Sequence, residues 1–226
     1  GAAARYFDSA TAALSVAIGD ALARLPVYGS KRVVLPAYGC PNLLAAALFA
    51  GGEPEFIDLA HGSMAPESQR LLEYLQAGDC VVVSVDAFGV PSLDEGFVKS
   101  LALHERERLI LDLAQSFEPF AQGWQPAGTS VVSFGRAKPV SLSTGGLLLS
   151  VAEATPEPGG ETESLSGMKL ALRSCAYNLS LNPAVFGLLC RISFLGIGTT
   201  QFQPLVRVRR LSKDFEQRVA VAVTEF

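Results

Sequence analysis

Histidine is nearly absent from this chain. Only His61 and His104 occur among its 226 residues, so a multi-histidine metal site or a histidine-dependent triad has little material to work with. The four cysteines, Cys40, Cys80, Cys175 and Cys190, stand far apart. Without the close spacing of a zinc site or a small disulfide framework, they read as reduced, mostly buried thiols of a cytoplasmic protein. Charge is scarce too, at 18% of residues with a net charge of −4. With no basic stripe, the footprint of a nucleic-acid binder is missing. No uninterrupted apolar run is long enough to span a bilayer. The apolar segment Pro183–Gly198 is interrupted by Arg191 and reads as a buried or partner-facing helix and loop. There is no G-x-G-x-x-G or P-loop lysine motif, which ranks a plain nucleotide-binding domain last. No signal peptide or internal repeat is visible, and the Gly1–Ala4 start reads as a trimmed end.

What the chain has in quantity is apolar sequence, at 49% of residues. It can bury a substantial core, as one large domain or one domain with a small appendage. Lys31–Pro36, Glu55–Leu59, Cys80–Val85 and Arg108–Leu113 read as strands. Between them, Ser9–Leu25, Asn42–Ala50, Pro66–Gln76 and a stretch from Ser92 or Asp94 to about His104 read as helices. Asp8 or Ser9 caps the first, and Gly51-Gly52 ends the second. This alternation predicts an α/β fold, a mostly parallel sheet with helices on both faces. In such sheets ligands lie outside the carboxyl ends of the strands. Those ends carry Tyr38 and Cys40, Asp86 and Phe88, Asp112 and Gln115, and Ser133 through Lys138.

Three of these places carry chemistry. Between Thr129 and Ser150, two apolar strand-like runs flank a polar loop with Lys138 at its middle. A lysine held there suits Schiff-base chemistry, in which the neutral amine attacks a carbonyl; alone, it is a solubilising loop residue. Asp112 ends the hydrophobic run Leu109–Asp112. It either caps the next turn or pairs with a cation such as a protonated pyridine nitrogen. Gln115, three residues on, reaches the same ligand or is a surface glutamine. The Ser9-Ala10-Thr11 start of the first helix caps it and also suits a phosphate.

Beyond Ser150 the composition turns to Glu, Thr, Pro, Gly and Ser as far as Gly167, reading as a loop or mobile lobe. Met168–Tyr177, Pro183–Phe194 and Leu211–Phe226 read as helices and Gly196–Pro204 as irregular. Val206–Arg210 is the single basic cluster, a solvated face or an interface for an acidic partner.

Taken together, several stretches resemble the sugar aminotransferases of the DegT/DnrJ/EryC1/StrS type, within the fold-type-I pyridoxal-phosphate enzymes. They are Ser9–Leu14, Leu35–Cys40, Gly51–Asp58, Phe88-Gly89, Asp112–Gln115, Ser133-Phe134 with Lys138 five positions on, Gly145-Gly146 and Tyr177-Asn178. They follow the family's order at close to its spacing.

The resemblance implies a three-layer sandwich of the aspartate aminotransferase large-domain type. Residues 1–150 would form the cofactor-binding core. Residues 151–226 would hold the rest of the large domain and the start of a truncated or reduced C-terminal region. The resemblance also implies roles. Lys138 would form the internal aldimine with pyridoxal 5′-phosphate and shuttle the proton, and Asp112 would pair with the pyridinium nitrogen. Gln115 would face the ring's 3-hydroxyl side. Ser133, Ala10 and Thr11 would bind the phosphate, and Asn178 would reach the phosphate in a neighbouring subunit of a homodimer. The family's aromatic ring over the cofactor falls at Cys40, with Tyr38 two residues away as a substitute. The family's Gly-Glu-Gly-Gly is reduced to Ser143–Gly146, and Pro139 follows the lysine directly.

The implied activity is transfer of an amino group to a keto sugar, nucleotide-linked and serving polysaccharide biosynthesis. A different class, a non-catalytic or truncated relative with a scaffolding or regulatory role, is the alternative.

Overall fold

The computed structural model describes residues 3–26, 29–116, 128–150, 162–163, 167–192 and 202–224. In chain order the elements are β1 (Ala3–Phe7), α1 (Ala10–Ala23), β2 (Arg32–Pro36), α2 (Pro41–Phe49), β3 (Glu53–Ile57), α3 (Ser68–Ala77) and β4 (Cys80–Val85). A 3-10 turn at Ala87–Gly89, α4 (Glu95–Ser100), α5 (Leu103–Arg106), β5 (Leu109–Asp112), β6 (Thr129–Ser133) and β7 (Gly146–Ser150) follow. The last are β8 (Thr162–Glu163), α6 (Gly167–Ser180), α7 (Pro183–Cys190), β9 (Arg210–Leu211) and α8 (Lys213–Thr224).

Among the described residues these strands form one sheet of nine, in the order β3-β2-β4-β5-β6-β7-β1-β9-β8. The five from β3 to β6 are parallel, while β7 runs antiparallel to both β6 and β1. Side chains alternate across the sheet with period two. Val33, Leu35, Val81, Val83, Ile110, Val131 and Leu148 pack under α1 and α2. On the other face Val34, Val82, Leu109, Leu111, Val132 and Leu147 pack with α3, α4 and α8. This is the mostly parallel, doubly covered sheet that the alternation predicts. The chain lays β3 on one side of β2 and returns to place β4 on the other. That reversal leaves a crevice at the carboxyl edge.

The differences from expectation have local causes. The alanine-rich start carries no strand signal, yet Ala3 and Ala4 lie in β1, paired with Ser150 and Leu149. Arg5 of β1 is ion-paired with Asp20 of α1, both buried. The single helix predicted to His104 is two. Leu101 is extended (φ −68°, ψ 140°) and 3% exposed, so anchoring it in the core breaks the helix. The chain restarts at Ala102, whose N–H donates to Glu105 Oε2 at 2.7 Å. β3 begins at Glu53, opposite Arg32, so Asp58 lies just beyond it. Leu211 belongs to β9, and α8 starts at Lys213. Only Cys80 of the four thiols is buried; Cys40, Cys175 and Cys190 are exposed. α7 buries no side chain within this chain, with Leu188 63% exposed. The polar stretch 151–167 and the irregular 196–204 lie largely outside the described residues. No helix among the described residues is long and apolar enough to cross a membrane.

Candidate active site

At the carboxyl edge of the parallel strands lies a cleft of about 810 Å³. It is walled by the loops after β1, β2, β4, β5 and β6 and by the segment entering β7. Each wall belongs to a different part of the chain, and the sheet register brings them together.

The first wall is the start of α1. Ser9 is extended (φ −154°, ψ 159°), and its Oγ accepts the N–H of Ala12 at 3.1 Å. Ala10 and Thr11 therefore open the helix at the cleft, where a helix N-terminus presents amides and positive potential to an anion. Gly145 and Gly146 make this possible. A Cβ on Gly146 would lie 2.5 Å from the N and Cα of Ala10. Gly145 has φ +101° beneath the ring of Phe215. The Gly145 N–H and the Thr144 hydroxyl both donate to the Asp8 carbonyl, at 3.1 and 3.0 Å.

Asp112 closes β5 level with Val85 of β4 and Val131 of β6. It is 8% exposed and accepts the Ala114 N–H at 2.9 Å. Burial pushes its carboxyl up to about 6; the Ala114 N–H and the Lys138 cation pull it back down, and Asp86 pushes it up. Asp112 thus caps its turn and shares the cleft with Lys138. Asp86, buried after β4, accepts the N–H and the hydroxyl of Ser92 at 2.8 and 2.9 Å. Burial raises its carboxyl as well. Gln115 is exposed on the rim, and its Oε1 accepts the N–H of Phe88 at 2.7 Å.

The Lys138 loop is folded on itself. Phe134 N–H donates to Gly145 O and Leu142 N–H to Phe134 O, each at 2.9 Å. The Ser141 hydroxyl donates to Gly135 O at 3.1 Å. Buried Ser133 lines the cleft, its Oγ accepting the Gly135 N–H at 3.3 Å. Lys138 is half-buried. Among the described residues three non-glycine positions have left-handed backbone: Phe88 (φ 56°), Ala137 (φ 57°) and Ser143 (φ 64°). Phe88 and Ser143 line the cleft and Ala137 precedes Lys138. Such conformations cost about 1–3 kcal/mol each and gather at functional sites.

Of the residues singled out from sequence, Ala10, Thr11, Tyr38, Cys40, Asp112, Gln115, Ser133 and Lys138 all line this cleft. Tyr38 is 58% exposed, and Cys40 is exposed at the N-cap of α2. Asn178 is not among the lining residues; it is exposed on α6, which touches the rim through Ser174, 3.5 Å from Ser143. Sequence reasoning passed over Arg136, a cation two residues before Lys138 that lines the same cleft. Its signal was its place in the lysine loop. Among the described residues no group of three or more His, Cys, Asp or Glu is placed to hold a metal.

Comparison with solved structures gives the same fold. A putative pyridoxal-phosphate-dependent aminotransferase from Bacillus cereus aligns over 99% of this chain and 53% of its own, with 17% identity and a TM-score of 0.59. A DegT DnrJ EryC1 StrS aminotransferase from Brucella abortus aligns over 97% and 54%, with 18% identity and a TM-score of 0.53. Helicobacter pylori PseC, an aminotransferase involved in the biosynthesis of pseudoaminic acid, aligns over 65% and 39%, with 21% identity and a TM-score of 0.54. The chain thus spans about half or less of the length of these structures. No curated protein matches it. The sheet is that of the fold-type-I enzymes, residues 3–158 match the family model that the motifs around Lys138 point to, and the chain belongs to the DegT/DnrJ/EryC1/StrS aminotransferase family.

Proposed function

We propose that this chain is the cofactor-binding core of a pyridoxal-phosphate-dependent sugar aminotransferase. The observation that carries the reading is that buried Asp112 and Lys138 line one cleft with the N-terminus of α1. A carboxyl buried at a strand end and raised to about 6 shares with a lysine a cleft that also holds a helix N-terminus. Burying a carboxylate beside so little compensating charge is costly, and a ring cation placed there would offset that cost. The residues present therefore fit the group.

When bound, pyridoxal phosphate supplies an aldehyde for Lys138 and a ring that takes up the electrons released at the substrate carbon. The chain's part is to hold and to move protons. Asp112, fixed by the Ala114 N–H, keeps the ring nitrogen protonated. Ala10, Thr11 and Ser133 hold the phosphate at the start of α1. Lys138 would carry the proton to and from the substrate carbon from within its closed loop. Gln115, on the rim, would meet the ring's 3-hydroxyl side, and Tyr38 with Cys40 forms the wall after β2. We assign a keto sugar, linked to a nucleotide, as the amino acceptor and an amino acid as the donor. Asn178, exposed on α6, serves the cleft of a second copy in a cytoplasmic homodimer. Residues 1–150 form the core, and 151–226 hold the rest of the large domain and the start of a C-terminal region.

Absorption spectroscopy with Lys138→Ala tests this. Wild-type protein mixed with pyridoxal phosphate should give an adduct band that resists dialysis and disappears on borohydride reduction, and the variant should give none. A folded wild type that forms no such adduct would end the enzyme reading. The second reading, a non-catalytic relative, is favoured by one observation: exposed Cys40 stands where the resemblance expects an aromatic ring.

A further inference from the structure

Arg136 is the cleft cation that the proposed chemistry leaves unused. It is exposed, lines the cleft and precedes Lys138 by two residues. Arg5, Arg32 and Lys99 each pair with a carboxylate, whereas Arg136 forms no hydrogen bond or ion pair with a described residue. The backbone just before it is anchored on both sides of Gly135, by Ser133 Oγ and the Ser141 hydroxyl. The left-handed Ala137 then turns the chain, and the next residue, Lys138, lines the same cleft.

The acidic residues lining the cleft are Asp8 and Asp112. Asp112 is buried and accepts the Ala114 N–H, and Asp8 already has a partner in the fold. Among the described residues Arg136 therefore has no counterion of its own. A guanidinium is a planar fork of donors that matches the oxygens of a carboxylate or phosphate in pairs. Placed beside the reactive amine, it fixes a reactant by a group remote from the reacting carbon.

We propose that Arg136 is a substrate-docking residue that takes an oxyanion carried by a reactant. This deepens the aminotransferase reading and rests on it. Two reactants offer the chemistry, the carboxylate of an amino-acid donor and the diphosphate of a nucleotide-linked sugar.

Calorimetric binding of succinate and of uridine diphosphate, with and without pyridoxal phosphate, tests it on wild type, Arg136→Gln, Arg136→Lys and Arg207→Gln. Arg207 is exposed and does not line the cleft. At least one probe should bind wild type, with affinity that falls as salt rises. Arg136→Gln should lose about 10-fold or more, Arg136→Lys less, and Arg207→Gln nothing. Loss confined to succinate assigns the donor carboxylate; loss confined to the nucleotide assigns the sugar diphosphate. Arg136-dependent binding by a wild type that takes up no pyridoxal phosphate would support the oxyanion site while sinking the aminotransferase reading. Failure of both probes to bind wild type, or equal binding by Arg136→Gln, overturns the proposal. Weaker cofactor uptake by Arg136→Gln with unchanged probe binding also overturns it, since the arginine would then serve the cofactor.

Discussion

The backbone N–H of Phe88 donates to Oε1 of Gln115 at 2.7 Å, tying the loop after β4 to the loop after β5 across the mouth of the cleft. Phe88 is 70% exposed in a left-handed conformation, and this bond fixes its backbone at the rim. Gln115→Ala should change global stability by less than about 1 kcal/mol, because water takes up the freed N–H. The same change should weaken pyridoxal phosphate binding by roughly 3- to 10-fold, because the wall loosens. Gln115→Glu keeps the acceptor and should retain most of the affinity. Denaturant unfolding beside cofactor titration separates the two effects, and equal affinity in the alanine variant would refute the role.

Asp112 gives the fold a pH dependence of stated sign. Its carboxyl sits at about 6 against an ordinary 3.8. Between those values the folded chain keeps a proton that the unfolded chain has released. Stability therefore falls as pH rises through that window, by roughly 3 kcal/mol in all. Asp86, raised by burial too, adds to the same slope. Thermal unfolding from pH 4 to 7 should show the decline, and Asp112→Asn should flatten it. A variant with the wild-type slope would remove Asp112 as its source. Pyridoxal phosphate should stabilise wild type more above pH 6 than below it, because the ionised carboxylate is the form that pairs with a ring cation.

Two glycines near α1 should respond in opposite directions. Gly146→Ala drives a methyl against the backbone of Ala10, and overpacking of this kind costs about 1–3 kcal/mol. Cofactor affinity should fall with it, since the displaced atoms begin the helix. Gly19 lies within α1 with nothing near its missing Cβ, so Gly19→Ala should stabilise by about 1 kcal/mol through helix propensity. Melting temperatures of the two variants decide; a neutral Gly146→Ala would mean that the contact can relax.

The fold was legible wherever one strand or helix carried its own signal. Cys80–Val85 is a β-branched run buried on both faces, and it was read with its bounds intact. β1 was illegible because Ala3 and Ala4 have no β preference of their own; pairing with Leu149 and Ser150 makes them a strand. Leu101 was read as helical because its burial, which breaks the helix, is a tertiary fact. The cleft was legible through the ends of strands, which is how Lys138, Asp112 and Ser133 came to notice. Gln115 was visible as a residue, but not its grip on Phe88, which joins positions 27 apart in the chain. Arg136 carried no signal of its own, because its place in the cleft without a described counterion is a tertiary fact.

The Thr144 hydroxyl reaches the Asp8 carbonyl across 136 residues of chain, and β1 pairs with β7 along its whole length. The start of α1, and with it the helix-terminus end of the cleft, is fixed only when the first strand finds one of the last laid down in the main sheet. Contacts so distant in sequence are slow to form, because closing the chain comes before the contact that rewards it. Cofactor capture is therefore a clock for folding: a chain that binds its cofactor has already brought β1 and β7 together.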